Sequence, residues 1–438
     1  MEPLPVDVSQ LQRRDPAAWT TLLSQMAEPA DVIVTAVSSE PVWNTFFSRP
    51  GRLANDPSRR VRRYTLTLAG CSDPITFIAK RTNHIEANVY RRAGSQTINM
   101  LPPCHYNHRA GDHSWLILED VPNDIPTERW TPEHVDRVVE SLASAHLSFW
   151  NESNNPNTAG AINEEKPFKH FLHGEEMPYS WEDLREEHSA LFEQGPGAIL
   201  SEHAIRNAGL LAPALLEAAN GLVVMRDLGG WPGVLGESHL AAVADLLDDP
   251  VPMLETLANL PVTLLHGSPH PYHWRVTLFD EYYLVDWSEA KLGPGVLDLI
   301  SFIEHFPLIY YQAGPEKSLF HSPTHSVEPL IRLREMTQLT EETLIDTYLL
   351  GMSSRLGRQF PARAFRAAVP AARCLHILTN WFAYFGSWYA EMPDRYIWQR
   401  VNRMSETELA GTVLGPMTGV RPYLAGVFDR FLRAYHSL

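Results

Sequence analysis

The stretch that decides the fold reads Leu264-Leu265-His266-Gly267-Ser268-Pro269-His270-Pro271-Tyr272-His273 and resumes at Leu284-Val285-Asp286-Trp287-Ser288-Glu289-Ala290. An apolar run ends in a polar loop, and a second apolar run ends in a carboxylate. Residues 262–266 predict a strand. Residues 274–278 and 282–286 predict two more, joined by the turn Phe279-Asp280-Glu281. If the strand ends lie side by side, His266, Ser268, His270, His273 and Asp286 gather around one point. An acid at a strand end with polar neighbours suits a divalent cation that also binds phosphate oxygens.

Working outward toward the N-terminus, β-branched runs at 32–37, 61–68 and 75–80 predict strands. The last two form a hairpin through Ala69-Gly70-Cys71-Ser72-Asp73. A helix is expected over 85–94, then a strand pair at 101–108 and 114–118. Residues 31–118 therefore read as a small, mostly antiparallel sheet with one helix. Between the first two strands lies a long polar segment, 38–60, containing Pro41, Pro50, Gly51 and Pro57. After Asp120 the period changes. Thr131-Pro132-Glu133 is a helix start, and Val135, Val138, Val139, Leu142, Ala145 and Phe149 follow at spacings of three and four. Residues 152–200 are loop-rich, helical patterns return at 204–220 and 239–247, and the chain is mostly helical from 297 onward. An amphipathic stretch covers 19–26. The expected organisation is a helical extension (1–30), a β lobe (31–120) and a helical lobe (121–438) that carries the hairpin at 262–290. This is an α+β, bilobal layout, of the kind that binds small ligands between its lobes.

Composition narrows the function. The chain has 438 residues, 44% hydrophobic and 20% charged, which is enough apolar surface for a core. Its 36 Lys and Arg against 52 Asp and Glu give a net charge of −16, which argues against a general nucleic-acid binder. The N-terminus lacks the apolar core of a signal peptide, and no membrane span or membrane partner is expected. A soluble, cytoplasmic protein follows. Cys71, Cys104 and Cys374 are far apart and form no CxxC pair, so they read as plain thiols. One basic concentration stands out from the acidic total: Arg49, Arg52, Arg59, Arg60, Arg62 and Arg63.

The decisive stretch resembles the catalytic loop and metal-binding strand of the aminoglycoside phosphotransferase and choline kinase families, which have a protein kinase-like fold. His266-Gly267, His270-Pro271, Asp286-Trp287-Ser288-Glu289-Ala290, Gly293 and Asp298 stand in register with that pattern. Upstream pieces agree in order. Phe77-Ile78-Ala79-Lys80 resembles the strand whose lysine binds nucleotide phosphates. Glu86 and Tyr90 resemble the helix whose glutamate pairs with that lysine. Leu116-Ile117-Leu118-Glu119-Asp120 resembles the hinge between lobes, and Leu142–His146 with Phe149-Trp150 resembles the long helix after it. The similarity spans about residues 31–305.

The resemblance implies ATP and magnesium as cofactors, Lys80, Glu86, Arg59 and Glu119 at the nucleotide, and Asp286 at the metal. It also exposes two departures. The families' catalytic Asp falls on Ser268 and their metal-binding Asn on His273. Serine cannot act as a carboxylate base, and magnesium prefers oxygen to imidazole. Ser268, His270 and His273 are thus the candidate catalytic residues, with a histidine as substitute base. The segment 38–60 has a single glycine, so phosphate would be met there by arginine charge and not by a glycine-rich backbone. Phosphoryl transfer depends mostly on positioning and charge, and a general base contributes about 10²–10⁴-fold. The expected activity is phosphotransfer to a small-molecule hydroxyl with a degenerate loop. The alternatives are a pseudokinase that binds nucleotide, peptide or a partner enzyme, or a different reaction in the same cleft. A serine hydrolase is disfavoured, because no G-x-S-x-G elbow is present. Asp298 and His266 read as holding the loop, His146 as packing in the helical core, and the aromatic run 381–389 as core.

Overall fold

The computed structural model describes residues 8–26, 32–42, 61–93, 100–150, 170–172, 181–192, 199–231, 233–306, 340–385, 405, 408 and 421–438. The chain divides into two compact units. One comprises Met1–Ile125 with Tyr272–Glu289, and the other Pro126–Pro271 with Ala290–Leu438.

The first unit is built on a five-stranded antiparallel sheet. Its strands are β1 (Val34–Pro41), β2 (Val61–Leu68), β3 (Ile75–Thr82), β4 (Cys104–Ala110) and β5 (His113–Glu119), in the order β1-β2-β3-β5-β4. Alternation along β3 sends Phe77 and Ala79 into the core. They meet Tyr64 and Leu66 of β2, Ile117 of β5, and the buried face of helix α2 (Pro16–Met26), which supplies Ala18, Trp19, Leu22 and Leu23. A short helix α1 (Val8–Gln12) precedes it, and the Trp19 indole N–H donates to the Leu11 carbonyl at 3.2 Å. The Trp19 ring lies 4.9 Å from that of Tyr64. Each aliphatic side chain buried here contributes about 1.5–3 kcal/mol. Lys80 falls on the opposite face of β3, toward helix α3 (His84–Ala93). The hairpin of β6 (Trp274–Val276) and β7 (Tyr282–Leu284) completes this unit, paired Trp274 to Leu284 and Arg275 to Tyr283.

The second unit is helical. Its described helices include α4 (Pro132–Ser148), α5 (Glu202–Ala208), α6 (Ala212–Asp227), α7 (Glu237–Asp248), α8 (Val251–Ala258), α9 (Val296–His305), α10 (Glu341–Leu356), α11 (Val369–His376) and α12 (Arg421–Tyr435). A π-helical turn, Ile377–Phe382, continues α11. In α4 the apolar positions at spacings of three and four are all buried, and Pro132 opens the helix as expected. A two-stranded ladder pairs Thr263–Leu265 with Lys291–Gly293, antiparallel. The short strand Lys291–Gly293 has no sequence signature. The stretch Glu202–Asp227, interrupted by a 3-10 turn at Gly209–Leu211, is long and apolar enough to cross a membrane by composition, against the expectation of no such segment. Half of its most apolar window is buried inside the protein.

The α+β class therefore holds. Trp381, Phe382 and Phe385 are core residues, while Trp388 and Tyr389 lie outside the described residues. Cys71, Cys104 and Cys374 are all free thiols, and burial pushes Cys104 and Cys374 up to about 12.

Candidate functional site

The sheet unit gathers a cluster of charged and polar groups at the end of β3. The Lys80 ammonium lies 2.7 Å from Glu86 Oε2 and also bonds Asp286 Oδ1. Glu86 is fully buried on the first turn of α3, and that turn is capped by Asn83, whose Oδ1 accepts from the Glu86 backbone N–H at 3.1 Å. A buried carboxylate needs partners. Glu86 has three: Lys80, the Thr82 hydroxyl at 2.5 Å, and the Trp287 backbone N–H at 3.2 Å. Asn83 Nδ2 donates to the Ser288 carbonyl at 2.8 Å. Helix α3 is thereby tied to the Asp286-Trp287-Ser288 turn from both ends of its first turn.

Asp286 differs from Glu86 in being half-exposed and in having φ +70°. That region is strained for a side-chain residue, though aspartate tolerates it better than most, and such outliers cluster at functional sites. Its Oδ1 accepts from the Ser288 hydroxyl at 3.0 Å, and its Oδ2 lies 3.9 Å from His273 Nε2. The Val285 backbone N–H donates to the His273 carbonyl at 2.9 Å, which fixes that histidine beside the carboxylate. Burial works against the Asp286 anion. The charges of Lys80 and His273 and the bonds from Lys80 and Ser288 outweigh it and hold the carboxyl below its ordinary range. Burial likewise works against the Lys80 cation, and the Glu86 and Asp286 carboxylates outweigh it and raise its pKa. Tyr90, one turn beyond Glu86, has a buried hydroxyl with no hydrogen-bond partner among the described residues.

The donor set tests whether a magnesium ion fits. Asp286 supplies one carboxylate, Ser288 a hydroxyl and His273 an imidazole. No group of three or more His, Cys, Asp or Glu among the described residues is arranged to hold a metal. Magnesium is commonly held by one or two carboxylates plus substrate phosphates. The residues therefore fit an ion that arrives with a phosphate ligand, and do not form a cage of their own.

Ser268 and His270 are placed in the helical unit. Both oxygens of the buried Asp298 are used: Oδ2 accepts from the His266 backbone N–H at 2.6 Å, and Oδ1 from that of Gly267 at 3.0 Å. His146 Nε2 lies 3.3 Å from Asp298 Oδ2, and its Nδ1 is 2.6 Å from the Tyr348 hydroxyl. Gly295 is needed beside them, because a Cβ there would stand 2.3 Å from the Tyr348 oxygen. Gly267, at φ +86°, lets the chain turn between the two donors. The Ser268 backbone N–H donates to His266 Nδ1 at 3.3 Å, and that of His270 to the Ser268 carbonyl at 2.7 Å. The buried His270 ring packs 4.8 Å from His305, which in turn lies 5.1 Å from His376. Asp298 and His266 hold the loop and His146 packs in the core, as read from the sequence.

The remaining expectations divide. Glu119 ends β5 opposite Phe77 with an exposed side chain, and its backbone is bonded on both sides, to Pro103 and Val121. Arg59, with Arg49, Arg52 and Arg60, lies outside the described residues. Arg62 bonds the Ser39 hydroxyl, and Arg63 holds Asp120 at 2.6 Å and Glu40 at 3.2 Å. Sequence reading missed Thr82 and Ser288. Their signals were present: Thr82 is four residues before Glu86, and Ser288 is two after Asp286.

No family model matches this chain, and no curated protein matches its sequence. Solved structures do resemble it. An aminoglycoside phosphotransferase from Alicyclobacillus acidocaldarius subsp. acidocaldarius is similar at 15% identity and TM-score 0.42, over 86% of this chain and 89% of that one. A choline/ethanolamine kinase family protein from Mesorhizobium loti is similar at 13% identity and TM-score 0.37, over 83% and 92%. An amicoumacin kinase in complex with AMP-PNP, Ca2+ and Ami is similar at 10% identity and TM-score 0.40, over 96% of each chain.

Proposed function

We propose that the sheet unit binds a nucleoside triphosphate and that the protein transfers a phosphoryl group to the hydroxyl of a small molecule, as a soluble, cytoplasmic enzyme. The observation that carries this reading is Lys80, held between the buried carboxylate of Glu86 and the half-exposed carboxylate of Asp286. Glu86 keeps the ammonium in place, and Asp286 is the partner that a phosphate group displaces. In this reading the Lys80 cation meets the phosphates, and the freed Asp286 carboxylate takes a divalent cation that arrives with them. Magnesium, when bound, supplies charge neutralisation at the transferring phosphate. Asp286 stays anionic throughout the neutral range, which suits that role.

The proton of the acceptor hydroxyl needs a different route from the one the resembling families use. His273, beside Asp286, is the proposed base, with His270 as the other candidate histidine and Ser268 at the position of the families' acid. A second reading is favoured by Ser268 and His273 standing where an acid and an amide are expected: nucleotide binding without transfer, in the service of a peptide or a partner enzyme.

Thermal-shift titration with ATP and GTP, with and without magnesium or manganese, followed by a nucleoside-diphosphate release assay, separates the readings. A metal-dependent shift with diphosphate release supports transfer. A shift without release supports the binding protein, and Ser268→Asp combined with His273→Asn should then gain hydrolysis if the loop alone is limiting. No shift with any nucleotide sinks both.

A further inference from the structure

Arg275 is a charged residue in the middle of β6, two residues beyond His273. Its Nη1 donates to two backbone carbonyls, those of Tyr272 at 2.8 Å and Trp274 at 3.0 Å. These bonds lock the guanidinium plane. Its Nε and Nη2 make no hydrogen bond among the described residues. The acid whose charge acts on it is Asp120, and both Asp120 oxygens accept from Arg63, through Nε at 2.6 Å and Nη2 at 3.2 Å. Arg275 is thus a half-buried cation with a fixed orientation, no bonded carboxylate and an unused pair of parallel donors. Burial pushes its pKa down, with Arg63 adding to that effect and Asp120 opposing it. A fixed, partly exposed donor pair is preorganised for two adjacent acceptors supplied by a ligand.

The strands give its place relative to Lys80. Lys80 is opposite Leu116 in β5, and β5 runs on to Glu119 and Asp120. Four residues of extended chain cover roughly 13 Å. His273, beside Asp286, is separated from Arg275 by two residues, roughly 7 Å of strand. Both strands lead from the phosphate-facing end toward the Arg63–Asp120–Arg275 cluster, over the length a nucleotide spans from phosphate to base.

We propose that Arg275 reads the base of the bound nucleotide and makes the site selective for guanine over adenine. The proposal rests on the nucleotide-binding reading above. Two parallel N–H donors match two adjacent acceptors. Guanine presents such a pair, O6 and N7, whereas adenine presents N7 beside an amino donor. Against adenine one N–H of Arg275 faces another donor. A bidentate match of this kind is worth about tenfold to hundredfold in discrimination.

Calorimetric titration of the full-length protein with GTP, ITP and ATP, each with magnesium, tests it. The wild-type protein should bind GTP about tenfold to hundredfold more tightly than ATP. ITP keeps O6 and N7 and should follow GTP. Arg275→Lys keeps the charge but lacks the planar fork, and should bring the GTP-to-ATP ratio close to one. Equal binding of GTP and ATP by the wild type, a preference for ATP, ITP behaving like ATP, or an unchanged ratio in Arg275→Lys each overturns the guanine assignment and leaves nucleotide binding standing. Binding of none of the three by the wild type overturns both. If Arg275→Lys fails to fold, the ITP comparison on the wild type decides the matter alone.

Discussion

Two sets of buried carboxylates show how the same chemistry serves opposite ends. In the helical unit, Asp298 is 2% exposed and Glu304 is 0% exposed. Asp298 is saturated by two backbone N–H groups and His146. Glu304 is saturated by Arg373 at 2.8 Å and Arg430 at 2.7 Å, with Arg373 also bonding Glu341. Nothing is left over for a ligand. In the sheet unit, Glu86 is just as buried, but its partner Lys80 is shared with Asp286, whose side chain is 37% exposed. The sheet unit thus keeps one charge pair that can be exchanged for another. Saturation suits a structural carboxylate, and the shared, partly wet pair is the one the proposed function uses.

The sharpest way to break this comparison is Lys80→Met, which strands Glu86 in the core without its cation. Breaking a buried pair costs about 3–5 kcal/mol. A fall of that size in urea-denaturation stability, together with loss of nucleotide binding, is expected. Unchanged stability would mean that Thr82 and Trp287 alone suffice for Glu86. Next comes Asp298→Asn, which keeps one acceptor but replaces the other with an amide donor facing a backbone N–H. It should cost about 1–3 kcal/mol and loosen the 266–270 loop while leaving nucleotide affinity intact. Hydrogen exchange at Gly267 and Ser268 reads the loosening, and a parallel loss of affinity would show the two units to be coupled.

The most gradual effect is a matter of acidity. His376 is buried, and burial together with the charges of His305 and Arg373 lowers its pKa to about 3, opposed by Glu304. The other groups of this neighbourhood are Arg430 on α12 and Glu341 on α10, both bound into the Glu304–Arg373 network. The unfolded chain takes up a proton near pH 6.5, and the folded one refuses it until much lower pH. The stability this group contributes is therefore complete above pH 6.5 and falls by about 1.4 kcal/mol per pH unit below it, through the folded pKa. Denaturation curves between pH 7 and 4 should flatten by that slope in His376→Gln. An identical slope in the variant would assign the acid loss to other groups.

Much of the fold was legible. Period-2 alternation at β2, β3 and β5 and the period of α4 follow from which residues must be buried, so those elements stand within a few residues of expectation. The strand Lys291–Gly293 was not legible, because it is three residues long and owes its existence to pairing with Thr263–Leu265. The candidate site was half legible. Lys80, Glu86 and Asp286 were singled out because their sequence contexts are distinctive, and the fold brings the three side chains together. Ser288 and Thr82 were passed over, since a hydroxyl's role depends on where its neighbours fold. Arg275 looked like an ordinary strand residue. Only the fold shows that its fork is locked by two carbonyls and has no carboxylate of its own.

The hairpin that carries Asp286 has a further consequence, for synthesis. Lys80 and Asp286 are 206 residues apart in sequence, with about half of the helical unit encoded between them. At the ordinary pace of translation, about 5–20 residues per second, Lys80 and Glu86 leave the ribosome roughly 10–40 s before their partner exists. During that interval the nascent sheet holds its charged centre without Asp286 or the Trp287 backbone donor. The emerging N-terminal segment is therefore the point at which a chaperone has most to offer this chain.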